Sequence, residues 1–292
     1  MRLDSDVDAQ LPPPSWRAPR CRSAVGRALA ELSHGDAILA PPVQSIIARG
    51  YAVALFYPGE IAPDDARLFR QAPISRLINA DTGAIAVWSS LYLSIVEALH
   101  AEPRIDATRI AIWGHSRFGK AALLAGALDN RVAAIIANQS GAFGATLSQA
   151  TRGETSAEIL RRFPHWFSQT AATRTQALEP LDQHLLLALL APRPVLLGNA
   201  ELDRWSDPGA AFVAARAASE VYVLFGRPGL TQPRMRDTAL NSNIAFYLRP
   251  GGHGVRSTDW FIALDFLDRH FPGRPSHFAS SGETNAEATG GQ

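Results

Sequence analysis

Three residue types set far apart in the chain carry the most specific chemistry this sequence offers: a serine, an aspartate and a histidine. Ser116 stands between residues of strand character, Ile110-Ala111-Ile112-Trp113, and an Ala- and Leu-rich helix former that begins after Gly119. A serine hydroxyl is a weak nucleophile and must project from a tight turn where a base can reach it, which a strand, a sharp turn and a helix provide. Gly114 gives that turn its room. The usual G-x-S-x-G spacing is not met, because the second glycine comes one place late, after Phe118. Acyl transfer by such a serine needs a histidine as base and a carboxylate to orient it, following in that chain order. Asp203 and His253 obey the order, each just beyond a predicted strand. His253 lies in Pro250-Gly251-Gly252-His253-Gly254, a loop loose enough to bring an imidazole to the serine. Of the eight histidines, His115 is locked in the turn, His100 and His270 lie near helix ends, His34 and His277 lie in polar arms, and His165 and His184 suit structural roles. The loop of Asp203 also offers Glu201 and Asp207, but Asp207 before Pro208 suits a helix cap better. Arg117 directly follows the nucleophile, so its backbone N–H points toward an oxyanion hole and its guanidinium offers a second donor. Lys120 lies one helical turn beyond Ser116 on the same face.

The run Gly114-His115-Ser116-Arg117-Phe118-Gly119-Lys120 resembles the Gly-x-Ser-Arg-x-Gly-Lys signature of the glucuronoyl esterases, carbohydrate esterase family 15. The likeness extends over roughly residues 45–270, through Asn138-Gln139-Ser140-Gly141, Phe163-Pro164-His165-Trp166-Phe167, Asp182-Gln183-His184, Ala191-Pro192-Arg193-Pro194 and Gly251-Gly252-His253. It implies an α/β-hydrolase that cleaves the ester between lignin alcohols and the glucuronic acid side groups of xylan, with glucuronoxylan as partner and no cofactor. It further implies that Lys120 contacts glucuronate hydroxyls, that Glu154 binds a sugar hydroxyl, and that Trp205 packs on a sugar ring. Asp203 matches an aspartate of bacterial members. Fungal members carry a glutamate where this chain has Gln139, and a neutral amide cannot stabilise an imidazolium as a carboxylate can. Gln139 therefore joins the substrate-binding candidates, and the triad expected is Ser116, His253 and Asp203. An acetyl esterase, which would need neither Lys120 nor Trp205, and an inactive carbohydrate-binding protein are the competing readings.

The elements that must position these residues can be read from the apolar pattern. Strands are expected at residues 51–57, 110–113, 132–137, 195–197, 221–225 and 245–248, and helices at 24–32, 46–48, 84–100, from Gly119 to about 128, 185–190, 210–218 and 259–270. Alternating strands and helices, with the special residues just past strand ends, predict a mostly parallel, doubly wound sheet. Residues 1–44 read as an extended arm, 45–271 as the catalytic domain, 140–180 as an insertion forming a pocket wall, and 272–292 as a disordered tail. A full sheet of this class would have strands ahead of residue 51, and residues 1–44 do not contain them. The expectation is of a chain lacking its N-terminal strands.

Composition sets the outer limits. The chain has 292 residues, 47% hydrophobic and 19% charged, with 28 Lys and Arg against 27 Asp and Glu. The formal net charge of +1 gives no electrostatic reason to expect nucleic acid or an anionic membrane. A single cysteine, Cys21, forms no intrachain disulfide. The N-terminus is too polar for a signal peptide, so the chain as written would stay in the cytoplasm, whereas the family resemblance implies a secreted or periplasmic enzyme if the N-terminus is incomplete. No metal constellation or phosphate loop appears, and a monomer is expected.

Overall fold

The computed structural model describes residues 35, 37, 41–149, 152–170 and 181–271. After the helices α1 (Val43–Ala48), α2 (Ala66–Gln71) and α3 (Ala84–His100), the strand β1 (Ala111–His115) leads into α4 (Arg117–Leu128). Then come β2 (Ala134–Asn138), α5 (Ser156–Arg162), α6 (Gln183–Ala188), β3 (Val195–Ala200), α7 (Pro208–Leu224), β4 (Ile244–Arg249) and α8 (Ser257–His270). The strands form one parallel sheet in chain order, β1-β2-β3-β4.

The apolar runs become strands because helices cover both sheet faces. On one face Ile135, Ala137, Val195, Leu197, Ile244 and Phe246 join the cluster formed with α3, α4 and α7. The intervening residues Ala134, Ile136, Leu196, Ala245 and Tyr247 face Ala263, Phe266 and Leu267 of α8. Every residue of β2 and β3 is buried, which explains why these strands read as continuous apolar stretches rather than alternating ones. All strands point the same way, so their C-terminal ends bring the loops after β1, β2, β3 and β4 to one edge.

Two expected strands are corrected. Residues 221–225 form the end of α7 and the turn after it, because Ala211, Ala215, Ala218 and Tyr222 continue a buried stripe at helical spacing. Tyr222 is fully buried and donates its hydroxyl to Arg193 O at 3.0 Å, while Leu224 is 84% exposed. Packing of that stripe overrides the strand preference of Val221, Tyr222, Val223 and Phe225. Residues 51–57 are not hydrogen-bonded into the sheet. Phe56 packs edge-on against Tyr92 of α3, with ring centres 4.9 Å apart, and Leu55 and Tyr57 face solvent. An apolar run becomes a buried strand only where a neighbouring strand accepts its backbone bonds. The expected helix at 24–32 and tail at 272–292 lie outside the described residues. No helix among the described residues is long and apolar enough to cross a membrane.

Candidate active site

The turn between β1 and α4 has the strained geometry a nucleophile requires. Ser116 sits at φ 55° and ψ −125°, a conformation that costs a non-glycine residue about 1–3 kcal/mol. Neighbouring backbone holds it there: Ser116 N–H donates to Asn138 O at 2.8 Å, and Ser116 O accepts from Gly119 N–H at 2.9 Å. Gly114 is required, since a Cβ there would lie 2.1 Å from Phe118 O. A Cβ on Gly119 would stand 3.1 Å from Ser140 Cβ, so the displaced second glycine still serves the close approach of α4 to the loop after β2.

Asp203 and His253 come from the loops after β3 and β4. The histidine Nδ1 lies 2.8 Å from Asp203 Oδ2, and the other carboxylate oxygen accepts from Ser206 N–H at 3.2 Å. Burial alone would raise the Asp203 pKa, but the hydrogen bond and charge of His253, with Ser206, outweigh it and keep the carboxyl below its usual range. Ser206 Oγ stands 3.4 Å from the same histidine nitrogen and donates to Gln139 O at 3.2 Å. The alternative carboxylates are engaged elsewhere: Glu201 pairs with Arg236, and Asp207 accepts from Ala210 N–H at the start of α7.

Gln139 joins the loops. Its Oε1 accepts from Gly254 N–H at 2.8 Å and from His115 Nε2 at 2.9 Å, and its backbone takes φ 50°. The His115 ring in turn lies 4.6 Å from that of His253, centre to centre. Burial first, then the neighbouring His253 charge, pushes His115 down to about 3. A free histidine titrates near pH 6.5, so between about pH 6.5 and 3 the unfolded chain binds a proton that the native chain refuses. The contribution of His115 to stability is therefore complete above about pH 6.5. As pH falls it drains, by up to about 1.4 kcal/mol per unit. Melts between pH 7 and 4 are expected to show a falling Tm, and His115→Gln should flatten part of that fall. An identical slope in the variant would refute the assignment.

The loop carrying His253 is held by a residue the sequence pattern did not single out. Arg249, the last residue of β4, donates from Nη1 to Pro250 O at 3.0 Å and from Nη2 to Gly254 O at 2.6 Å, bracketing the Gly251-Gly252-His253 turn. Its Nε lies 2.9 and 2.8 Å from the two oxygens of Asp259, which also accept from Tyr247 OH and Arg256 N–H. The only signal in the sequence is a charge closing an apolar strand just before Pro-Gly-Gly-His. Arg249→Met would strand a buried Asp259 charge, so the informative variant is Arg249→Met with Asp259→Asn. It is expected to lower kcat about 100-fold with KM little changed, the usual scale for an ångström of misplacement. Wild-type kcat in that variant would show that the loop needs no clamp.

Arg117 has its side chain fixed. Its Nε lies 2.8 Å from Asp64 Oδ2, and its guanidinium carbon lies 5.4 Å from the Phe118 ring centre and 5.9 Å from that of Trp166. Asp64 also pairs with His165 Nε2 at 3.0 Å and accepts from Trp166 Nε1 at 2.6 Å. Burial would raise the Asp64 pKa, but the His165 hydrogen bond and the Arg117 charge turn the balance, and the carboxyl is held low. Nothing in the sequence pointed to Asp64. Lys120, expected to face the substrate, is 3% exposed and donates to Ser140 O at 2.6 Å, Ala142 O at 2.5 Å and Glu154 Oε2 at 3.2 Å. Desolvation lowers its pKa, partly offset by Glu154. Glu154 Oε1 accepts from Trp205 Nε1 at 2.9 Å. Lys120, Glu154 and Trp205 thus form one connected group beside the loop of Asp203.

The family model for glucuronyl esterases of fungi matches residues 34–226. This chain belongs to the glucuronyl esterase family. It is 37% identical over 255 residues to carbohydrate esterase MZ0003 from an unknown prokaryotic organism, covering 83% of this chain and 59% of that protein. It is 33% identical over 156 residues to the 4-O-methyl-glucuronoyl methylesterase of Hypocrea jecorina (strain QM6a), covering 49% of this chain and 34% of that one. The structure superposes with a TM-score of 0.78 on a carbohydrate esterase family 15 glucuronoyl esterase from Teredinibacter turnerae T7901, at 31% identity, covering 90% of this chain and 65% of that chain. These likenesses bear out the α/β-hydrolase fold. The chain spans about 59% of the length of MZ0003 and about a third of that of the Hypocrea enzyme.

Proposed function

We propose that this glucuronyl esterase family member hydrolyses carboxylic esters of glucuronate through an acyl-enzyme on Ser116. The observation that carries the reading is the Asp203–His253 pair, 2.8 Å apart, on loops tied to a serine turn at φ 55°. In this mechanism Ser116 Oγ attacks the ester carbonyl as His253 takes its proton. His253 then gives the proton to the leaving alcohol, and a water molecule activated by the same imidazole releases the uronic acid. Asp203 holds the imidazole in its working tautomer and stabilises its charged form. Charge on the carbonyl oxygen is met by the Arg117 N–H and guanidinium. Gln139, Glu154, Trp205 and Lys120 line or support the sugar side, and the polymer carrying the ester is glucuronoxylan or a related uronic acid ester.

Turnover of methyl glucuronate, measured against p-nitrophenyl acetate, tests this. The expected result is a higher kcat/KM for the glucuronate ester, abolished by Ser116→Ala. A preference for the acetate would indicate a different carboxylesterase. Saccharide binding without turnover of either ester would indicate an inactive binding protein.

A further inference from the structure

Beyond Asp203 the same loop continues into Arg204 and Trp205, and it runs against Arg152 and Gly153. A Cβ on Gly153 would stand 2.5 Å from Arg204 O and 2.7 Å from Trp205 O, and Glu154 N–H donates to Trp205 O at 2.8 Å. From α5, Arg162 places its guanidinium carbon 4.7 Å from the centre of the Trp205 ring. Arg152, Arg162 and Arg204 are all exposed. The nearby acids do not neutralise Arg152 or Arg204: Glu154 is taken by Lys120 and Trp205, Asp203 by His253, and Asp207 by the start of α7. Among the described residues Glu158 pairs with Arg162, at 3.2 Å. Among the described residues Arg152 and Arg204 form no ion pair. In a chain with a formal net charge of only +1, composition does not force three exposed arginines onto the segments that meet at Trp205.

We propose that this arginine-rimmed surface at Trp205 binds the anionic stretch of polysaccharide that flanks the esterified sugar, so that the favoured substrate carries free uronate carboxylates beside its ester. The inference rests on the esterase reading and narrows its substrate class. Guanidinium forks match carboxylates in a planar, paired geometry, and Arg162 is already oriented by its stacking on Trp205. Each contact is exposed and therefore weak and screened by salt, so recognition needs several carboxylates on one chain rather than a monosaccharide. Neutral xylan carries no anionic group to pair with these cations.

The test is calorimetric binding of a fully de-esterified oligoglucuronate, which cannot turn over, to the wild-type chain and to Arg152→Ala/Arg204→Ala. Binding to wild type is expected at low salt and should be lost at high salt. The double variant should bind roughly fivefold more weakly, the scale of one or two exposed ion pairs. Neutral xylo-oligosaccharide should distinguish neither the salts nor the proteins, and kcat/KM for methyl glucuronate should be the same in both proteins. Equal oligoglucuronate affinity in wild type and variant, or salt-independent binding, would overturn the proposal. Failure of wild type to hydrolyse methyl glucuronate would refute the esterase reading alone, because the binding comparison needs no turnover.

Discussion

Asp203→Asn is expected to lower kcat for methyl glucuronate by about 10⁴-fold while leaving the fold intact, the loss seen when a triad carboxylate is neutralised in the best-studied serine enzymes. The carboxylate lies 2.8 Å from His253 Nδ1 and is 3% exposed, so the charge that stabilises a forming imidazolium acts with little screening. Asn keeps the shape and removes that charge. The other carboxylates of the loop cannot take over without leaving Arg236 or the start of α7 unpaired. Gln139 is another place near the imidazole for a carboxylate, because its Oε1 is bonded to His115 and to Gly254 N–H, the residue after His253. Gln139→Glu in the Asp203→Asn background is therefore expected to recover part of the rate, and Gln139→Ala in the wild-type background to cost far less than Asp203→Asn. Near wild-type turnover by Asp203→Asn would move the acid elsewhere.

How legible the site was in the sequence depended on whether a residue acts through its own type or through its neighbours. The Asp203–His253 pair and the strained turn at Ser116 were legible because the chemistry proposed for them asks for fixed residue types in a fixed order at strand ends. The strands beneath them were legible because full burial on two faces leaves an unbroken apolar run. Arg249, Asp64 and Ser206 were not: an arginine, an aspartate and a serine are ordinary residues until the fold brings Gly254 O, Arg117 Nε and His253 Nδ1 to them. The misread strand at 221–225 failed for the same reason, since Tyr222 is held by long-range contact with Arg193 and not by local preference. At 51–57 neither burial nor pairing followed from the apolar run, since Leu55 and Tyr57 face solvent and no strand among the described residues pairs with it; an apolar pattern says nothing of a hydrogen-bonding neighbour.

Lys120→Met is expected to destabilise the protein by about 3–5 kcal/mol, the scale set by removing one partner of a buried ion pair. Lys120 and Glu154 have side chains only 3% and 4% exposed, and the three ammonium protons are spent on Glu154 and on the carbonyls of Ser140 and Ala142. Removing the ammonium leaves Glu154 with a buried charge and Trp205 Nε1 as its remaining side-chain donor. It also frees the turn after β2, which packs against the serine elbow through Gly119. Glu154→Gln in the Lys120→Met background should restore much of the Tm, because both charges are then gone. Activity separates the two roles open to this lysine. A residue that holds the turn lowers kcat on methyl glucuronate and on p-nitrophenyl acetate together, since both esters use the same elbow. A residue whose work is to bind sugar hydroxyls raises KM for the glucuronate ester alone and leaves Tm nearly unchanged. With all three donors committed within the protein, the first pattern is the expected one, and a glucuronate-specific rise in KM at unchanged Tm would sink it.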